Sequence, residues 1–193
     1  MEIWIATGNQ GKMKEFKALL PNTLQIFSLQ DLKAFSMPPE NGKTFEENAR
    51  IKAKSLHSVK NESWVIGEDS GLEVEGLQGM PGIFSARYAG DNARDVENTS
   101  KVLKMINLRS PTNRKAQFRS VIIAYDPQGK EHKFEAILKG QIAKDMRGSN
   151  GFGYDSVFIP DGYDQTMAEL SLAEKNKISH RAQVVAELLK LLV

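Results

Sequence analysis

Five short stretches of this chain bring together residue types that handle anions, hard cations or flat rings. The first is Thr7-Gly8-Asn9-Gln10-Gly11-Lys12. A loop running from a strand into a helix leaves backbone N–H groups unpaired at the positive end of the helix dipole, and its glycines let an anion come close. Phosphate suits such a loop, although a plain turn with a surface lysine carries the same letters. It is not a Walker P-loop, because Ala6 stands where the first glycine belongs and Met13 replaces the Ser/Thr that would hold magnesium. The second is Lys52. At ~100° per residue, Phe45, Ala49, Leu56 and Val59 fall within about 40° of one direction, and Lys52 lies in the middle of that arc. An inward ammonium needs an anionic partner or a wet cleft, so Lys52 either points into a pocket of negative charge or snorkels to its edge.

The third stretch, Glu68-Asp69-Ser70-Gly71, follows the apolar run from Trp64 to Gly67. Carboxylates at the carboxyl end of a strand suit a hard divalent cation, and a polar turn is the plain alternative. Strand alternation lets only one of the pair reach a given cleft, and Asp69, nearer the loop, is the expected one. Glu40, in the loop before the Lys52 helix, is a second carboxylate of the right type that reads equally as a solvated glutamate. The fourth, Gly151-Phe152-Gly153-Tyr154-Asp155, frees a ring on both sides, either to stack on a flat base or to fill a core through a glycine bend. The fifth, Ser179-His180-Arg181, opens the last apolar helix. Positive side chains in a first turn oppose the helix dipole by ~0.3 to 1 kcal/mol. An anion or keto oxygen between them would reconcile this, as would a surface arginine beside a neutral histidine.

The elements that position these residues follow from periodicity. A strand over residues 2–7 leads into a helix marked by Met13, Phe16, Leu19 and Leu20 and stopped by Pro21. A second strand is expected near 24–29, and a loop with Pro38, Pro39 and Gly42 precedes a helix that Thr44 caps, with Glu47 as capping-box partner, to about Val59. Further readings are a strand at 64–67, a Gly/Pro-rich stretch at 76–82, a helix at 93–108, a hairpin of strands 118–125 and 133–142 about Asp126-Pro127-Gln128-Gly129, a strand at 157–159, and a helix from Ser179 with Ala182, Val185, Leu188, Leu189 and Leu192 on one face. Helices interleaved with strands and one hairpin predict an α/β fold with a mixed sheet.

The 193 residues suit one domain, 1–193. With 40% hydrophobic and 26% charged residues, neither disorder nor a fibrous repeat is indicated. The formal charge of +2, from 26 Lys+Arg against 24 Asp+Glu, gives no support to a nucleic-acid partner. The absence of cysteine excludes disulfides, thiol catalysis and Cys-ligated zinc, and His57, His132 and His180 lack metal-ligand spacing, so any metal is a hard one on carboxylates. No apolar run reaches the ~20 residues of a membrane span and no signal peptide is read, which makes the cytoplasm the expected address.

Taken in order, Ala6-Thr7-Gly8-Asn9 through Lys12, Thr44-Phe45-Glu46-Glu47-Asn48-Ala49 with Lys52, Asp69-Ser70-Gly71-Leu72, Pro81-Gly82 with Ser85-Ala86-Arg87-Tyr88, Gly151 to Asp155 and Ser179-His180-Arg181 make the chain resemble the non-standard purine nucleoside triphosphate pyrophosphatase family, also called inosine triphosphatase-like, over essentially its whole length. The resemblance implies hydrolysis of ITP, dITP and XTP to the monophosphate and pyrophosphate, a Mg2+ requirement, a homodimer, and a long bent mixed β-sheet flanked by helices, in two lobes with a central active-site cleft. It further implies that Thr7, Asn9, Lys12 and Lys52, with the intervening Gly8, Gln10 and Gly11 and with Ser70, hold the triphosphate. Glu40 and Asp69 would hold the metal, with Asp69 as the catalytic carboxylate that orients the attacking water. Phe152 would stack on the base, with Gly153 and Tyr154 beside it, and Asp155, Lys175, His180 and Arg181 would line its edge. Donors from His180 and Arg181 facing purine position 6 would donate to inosine's keto oxygen and meet adenine's amino group donor to donor.

The chain departs from the family spelling at Glu68, where aspartate is commoner, at Ser156, where proline is usual, and at Asn150, often glycine. Competing readings are a pyrophosphatase for modified pyrimidine or methylated nucleotides, a nucleotide-binding module without catalysis, and a nucleic-acid-binding protein.

Overall fold

A computed structural model describes residues 1–192; Val193, the last residue of the expected domain, lies outside the described residues. The elements in chain order are β1 (Glu2–Ile5), α1 (Gln10–Leu19), β2 (Gln25–Ser28), α2 (Phe45–His57), β3 (Trp64–Val74), α3 (Asp95–Arg109), β4 (Lys115–Tyr125), β5 (Glu131–Ile142), β6 (Phe158–Pro160), α4 (Leu172–Ile178) and α5 (His180–Leu192), with short 3-10 turns after β2 and β3. The six strands form one sheet in the order β2-β1-β3-β4-β5-β6. β1 runs parallel to β2 and β3, with Ile3 opposite Trp64 and Ile5 opposite Ile66, while β6 is antiparallel to β5. The sheet is therefore mixed, and the α/β class holds.

The chain folds as two compact units. The first comprises residues 1–69, 120–136 and the chain from Arg181 on; the second comprises 70–119 and 137–180. In the first unit, alternation along parallel strands buries both faces. Ile3, Ile5 and Ile66 pack with Phe16 of α1 and Val184, Val185 and Leu188 of α5, while Trp4, Ala6 and Val65 of the opposite face pack with Leu56 of α2. The second unit has its own core of Leu72, Val74, Val102, Ile106, Phe118 and Phe158.

Four expectations need correction. β3 does not end at Gly67 but runs eleven residues, because Leu72 and Val74 continue its buried pattern, so Asp69 lies within a strand rather than beyond one. α2 ends at His57, leaving Val59 exposed instead of on the apolar face. Ser179 closes α4, a helix with few apolar residues that periodicity does not reveal, and α5 begins one residue later. Thr44 does cap α2 by accepting from the Glu47 N–H at 3.1 Å, but Glu47 reaches past it to the N–H of Lys43, so the capping box is not closed. No helix of the described residues is long and apolar enough to cross a membrane.

Candidate functional site

In the first unit the site is organised by the two faces of β3. Residues 65, 67 and 69 share the face that meets α2, and contact there is made possible by Gly67. A Cβ on Gly67 would lie 2.2 Å from the Ala49 carbonyl oxygen and 2.5 Å from the Ala53 nitrogen. Backbone packed this closely brings Lys52, one turn along α2, onto Asp69. Lys52 Nζ donates to Asp69 Oδ1 at 2.7 Å and to the Glu68 carbonyl oxygen at 3.2 Å, and pairs with Glu40 Oε2 at 2.9 Å. Lys52 is 6% exposed, so of its two sequence readings the inward one with anionic partners is found. The loop bearing Glu40 is tied to α2 by Asn48, whose Oδ1 accepts from the Gly42 N–H at 2.9 Å.

Burial works against the Lys52 charge, but the Asp69 and Glu40 carboxylates more than offset it and hold its pKa above the ordinary lysine value. Burial likewise pushes the Asp69 carboxyl above its usual range, with Lys52 and Lys12 offsetting only part. Asp69 Oδ2 is buried without a hydrogen-bond partner. An orphaned carboxylate oxygen, with the second carboxylate of Glu40 on the same ammonium, fits a hard cation. Among the described residues no three His, Cys, Asp or Glu cluster as ligands. Two carboxylates are what Mg2+ uses when phosphate oxygens and water complete its shell.

The other face of β3 carries Glu68. Its side chain is fully buried; Oε2 accepts from Lys12 Nζ at 2.7 Å, and Oε1 accepts from Ser120 Oγ at 2.8 Å and Arg181 Nη2 at 3.0 Å. Arg181 Nη1 also donates to Glu15 of α1. Burial by itself would favour the neutral acid, yet Arg181 and Lys12 hold the Glu68 carboxyl well below the usual range. Burial lowers the Lys12 pKa, Glu68 opposing it and Lys52 and Arg181 adding to it. The exposed-arginine alternative is thus corrected: the charge at the head of α5 is balanced inside the unit by Glu15 and Glu68.

The loop before α1 is buried at Thr7 and exposed from Gly8 to Gln10, with Gly11 half-buried. Asn9 is the N-cap, its Oδ1 accepting from the Lys12 N–H at 3.0 Å, and Thr7 Oγ1 accepts from the Asn9 N–H at 3.1 Å. By helix geometry the N–H groups of Gln10 and Gly11 have no acceptor within α1.

In the second unit, Phe152 is half-buried between Gly151 (φ +78°) and Gly153 (φ +61°) and stands outside the hydrophobic core, so the core-aromatic alternative is not found. A Cβ on Gly151 would lie 2.0 Å from Asp155 Oδ2. That oxygen accepts from the Phe152 N–H at 2.9 Å and pairs with Lys175 of α4, whose ammonium sits 5.1 Å from the Phe152 ring centroid. Gly153 is held from both sides, its N–H donating to Asp95 Oδ2 at 2.6 Å and its carbonyl accepting from Thr99 Oγ1 at 3.1 Å. Tyr154 is buried and donates to the Ser85 carbonyl at 2.7 Å. His180 is stacked on Phe118 at 4.7 Å. Ser70 is half-buried in β3.

Of the residues expected from the sequence, Lys12, Lys52, Glu40 and Asp69 fall in the first unit and Phe152, Asp155, Lys175 and His180 in the second, while Arg181, expected with the latter group, belongs to the first, where its guanidinium pairs with Glu15 and Glu68. Sequence reasoning missed Glu15, Ser120, Gly67, Asp95 and Thr99. Glu15 was accessible: it lies three residues from Lys12 on α1, next to the core residue Phe16, an uneconomical place for a lone carboxylate. Asp95 and Gly153 are 58 positions apart, and no local pattern connects them.

The first unit thus presents paired lysines and carboxylates on helices and a strand, and the second frames an aromatic ring in a loop. The sequence profile of the Ham1 family matches residues 3–191, and the chain belongs to that family. A relative from Bdellovibrio bacteriovorus named dITP/XTP pyrophosphatase is 54% identical, the match covering 98% of this chain and 96% of that protein. The Staphylococcus aureus Ham1 protein structure aligns with TM-score 0.87 at 41% identity, covering 100% and 98% of the two chains. A Mycobacterium abscessus structure titled nucleoside-triphosphatase / dITP/XTP pyrophosphatase aligns with TM-score 0.77 at 38% identity, covering 98% and 99%.

Proposed function

We infer that this chain is a hydrolase of non-standard purine nucleoside triphosphates, cutting dITP, ITP and XTP to the monophosphate and pyrophosphate and so cleansing the nucleotide pool. One observation carries the reading above the rest: near-full-length likeness to relatives named for this activity. The pairing of Lys52 with Asp69, and of Lys12 with Glu68, is the chemistry such a reaction needs.

Water must reach a phosphorus ringed by anionic oxygens, so positive charge has to be supplied first. In this reading Lys12 and Lys52 supply it, and Thr7, Asn9 and the N–H groups of Gly8, Gln10 and Gly11, with Ser70, orient the triphosphate. Lys52 reaches it by giving up one of the three acceptors that hold its ammonium, Asp69 Oδ1, Glu40 Oε2 and the Glu68 carbonyl oxygen. Asp69 is the catalytic carboxylate. Its Oδ1 is fixed by Lys52, which leaves Oδ2 to align the attacking water, and burial makes it a better proton acceptor than an ordinary aspartate. Glu40 and Asp69 would hold Mg2+, which supplies charge to the phosphate oxygens and acidifies bound water. Phe152 stacks on the base, with Gly153 and Tyr154 shaping its support, and Asp155, Lys175, His180 and Arg181 read its edge. A homodimer and a cytoplasmic location complete the reading.

A pyrophosphate-release assay with ITP, dITP, XTP, ATP and GTP, with and without Mg2+, tests it. The 6-oxopurine triphosphates that arise by deamination should be cut far faster than ATP, yielding pyrophosphate rather than orthophosphate. Comparable rates on ATP would overturn the base selectivity, and orthophosphate as first product would overturn the cleavage site.

A further inference from the structure

Glu68 is one residue from Asp69, yet strand alternation sends the two carboxylates to opposite faces of β3. Asp69 meets α2, whereas Glu68 meets α1 and α5. Both Glu68 oxygens are committed: Oε2 to Lys12, Oε1 to Ser120 and Arg181. The side chains around it are nearly closed to water, with Glu68 at 0%, Arg181 at 2% and Glu15 at 5% exposure, and only Lys12, at 14%, reaches outward. The four charges cancel, since Lys12 and Arg181 match Glu15 and Glu68.

We propose that Glu68 is a positioning residue that shares one buried carboxylate between Lys12 and Arg181, coupling the engagement of a polyphosphate by Lys12 to the setting of Arg181, and that it is not a metal ligand. The proposal rests on the roles given above to Lys12 and Arg181. Its physical basis is charge balance. When phosphate oxygens draw Lys12 outward, two buried carboxylates are left facing one guanidinium, and an uncompensated buried charge is unfavourable. Arg181 carries five donors in a planar fork and can close on Glu68, giving the oxygen that Lys12 leaves a new donor. Filling the phosphate position therefore resets the group that reads the base.

The test uses the full chain as wild type, Glu68→Gln and Glu68→Asp, with inorganic tripolyphosphate as the phosphate probe. Glu68→Gln releases Lys12 from its counter-charge, so tripolyphosphate should inhibit about tenfold more tightly, the scale of one charge-assisted hydrogen bond. The ratio of kcat/KM for ITP over ATP should fall by about the same factor as Arg181 loses its second anchor. Mn2+ binding to the nucleotide-free protein, read by electron paramagnetic resonance, should be unchanged. Glu68→Asp, which keeps the charge, should return tripolyphosphate inhibition to within about threefold of wild type. Loss of Mn2+ affinity together with tripolyphosphate affinity would overturn the proposal in favour of metal ligation. Unchanged inhibition and selectivity with a lowered melting temperature would overturn it in favour of a purely structural ion pair. Should Glu68→Gln not fold, Ser120→Ala removes one donor from the same carboxylate and keeps its charge, so Glu68 should hold Lys12 more firmly and tripolyphosphate inhibition should weaken; no movement overturns the proposal. Direct calorimetric titration with tripolyphosphate separates the two levels, because a wild type inactive on ITP defeats the proposed function while the Glu68 effect on phosphate binding is still read.

Discussion

In the first unit, Lys12, Lys52, Glu68 and Asp69 all stand on helices or a strand, and what they offer a ligand is opposed charge held under little water. The second unit presents Phe152 from a loop whose shape depends on two glycines with positive φ and on hydrogen bonds to Asp155, Asp95 and Thr99. The first arrangement is set by element packing and its strength by electrostatics. The second is set by backbone conformation and offers a surface. Charge on regular elements suits a flexible polyphosphate, which adapts to fixed cations, while a framed ring suits a rigid base, which cannot.

The contrast is broken most severely at Asp69. Asp69→Asn keeps the shape and removes the charge and the proton acceptor, and kcat for ITP should fall roughly a thousandfold with far-UV circular dichroism unchanged. Unaltered turnover would remove Asp69 from the chemistry. Next is Gly67→Ala, which forces a methyl into the Ala49 carbonyl. It should lower unfolding free energy by about 3 kcal/mol in urea titration and reduce activity further by parting Lys52 from Asp69. A wild-type midpoint would show that α2 does not depend on that contact.

A smaller effect appears only in acid. Glu68 has a folded-state pKa depressed by Arg181 and Lys12. Its stabilisation is therefore complete above the unfolded carboxyl value near ~4.3 and is lost as pH falls from there toward the depressed value. Stability of wild type should drop more steeply below that point than stability of Glu68→Gln. Parallel acid limbs would mean that the carboxylate is not held ionised by its partners.

The same contrast explains what the sequence discloses. Lys52 is legible because helical period places it among Phe45, Ala49 and Leu56, all buried here. The opposite directions of Glu68 and Asp69 follow from strand alternation. The length of β3 does not, because Ser70 and Gly71 resemble a turn and only burial of Leu72 and Val74 in the second core keeps the strand extended. α4 is hidden because its one fully buried side chain is a lysine, Lys175, buried by pairing with Asp155 rather than by an apolar stripe. Arg181 reads as a surface charge until Glu15, 166 positions away, is seen against it.

The proposed assignment of the phosphates to Lys52 and of the base to Phe152 is tested most directly by tripolyphosphate, a ligand with phosphates and no base. Its inhibition constant against ITP hydrolysis should rise at least about tenfold in Lys52→Met and stay at the wild-type value in Phe152→Ala, which should instead raise KM for ITP by about tenfold. An equal rise in both variants, or none in Lys52→Met, would contradict it.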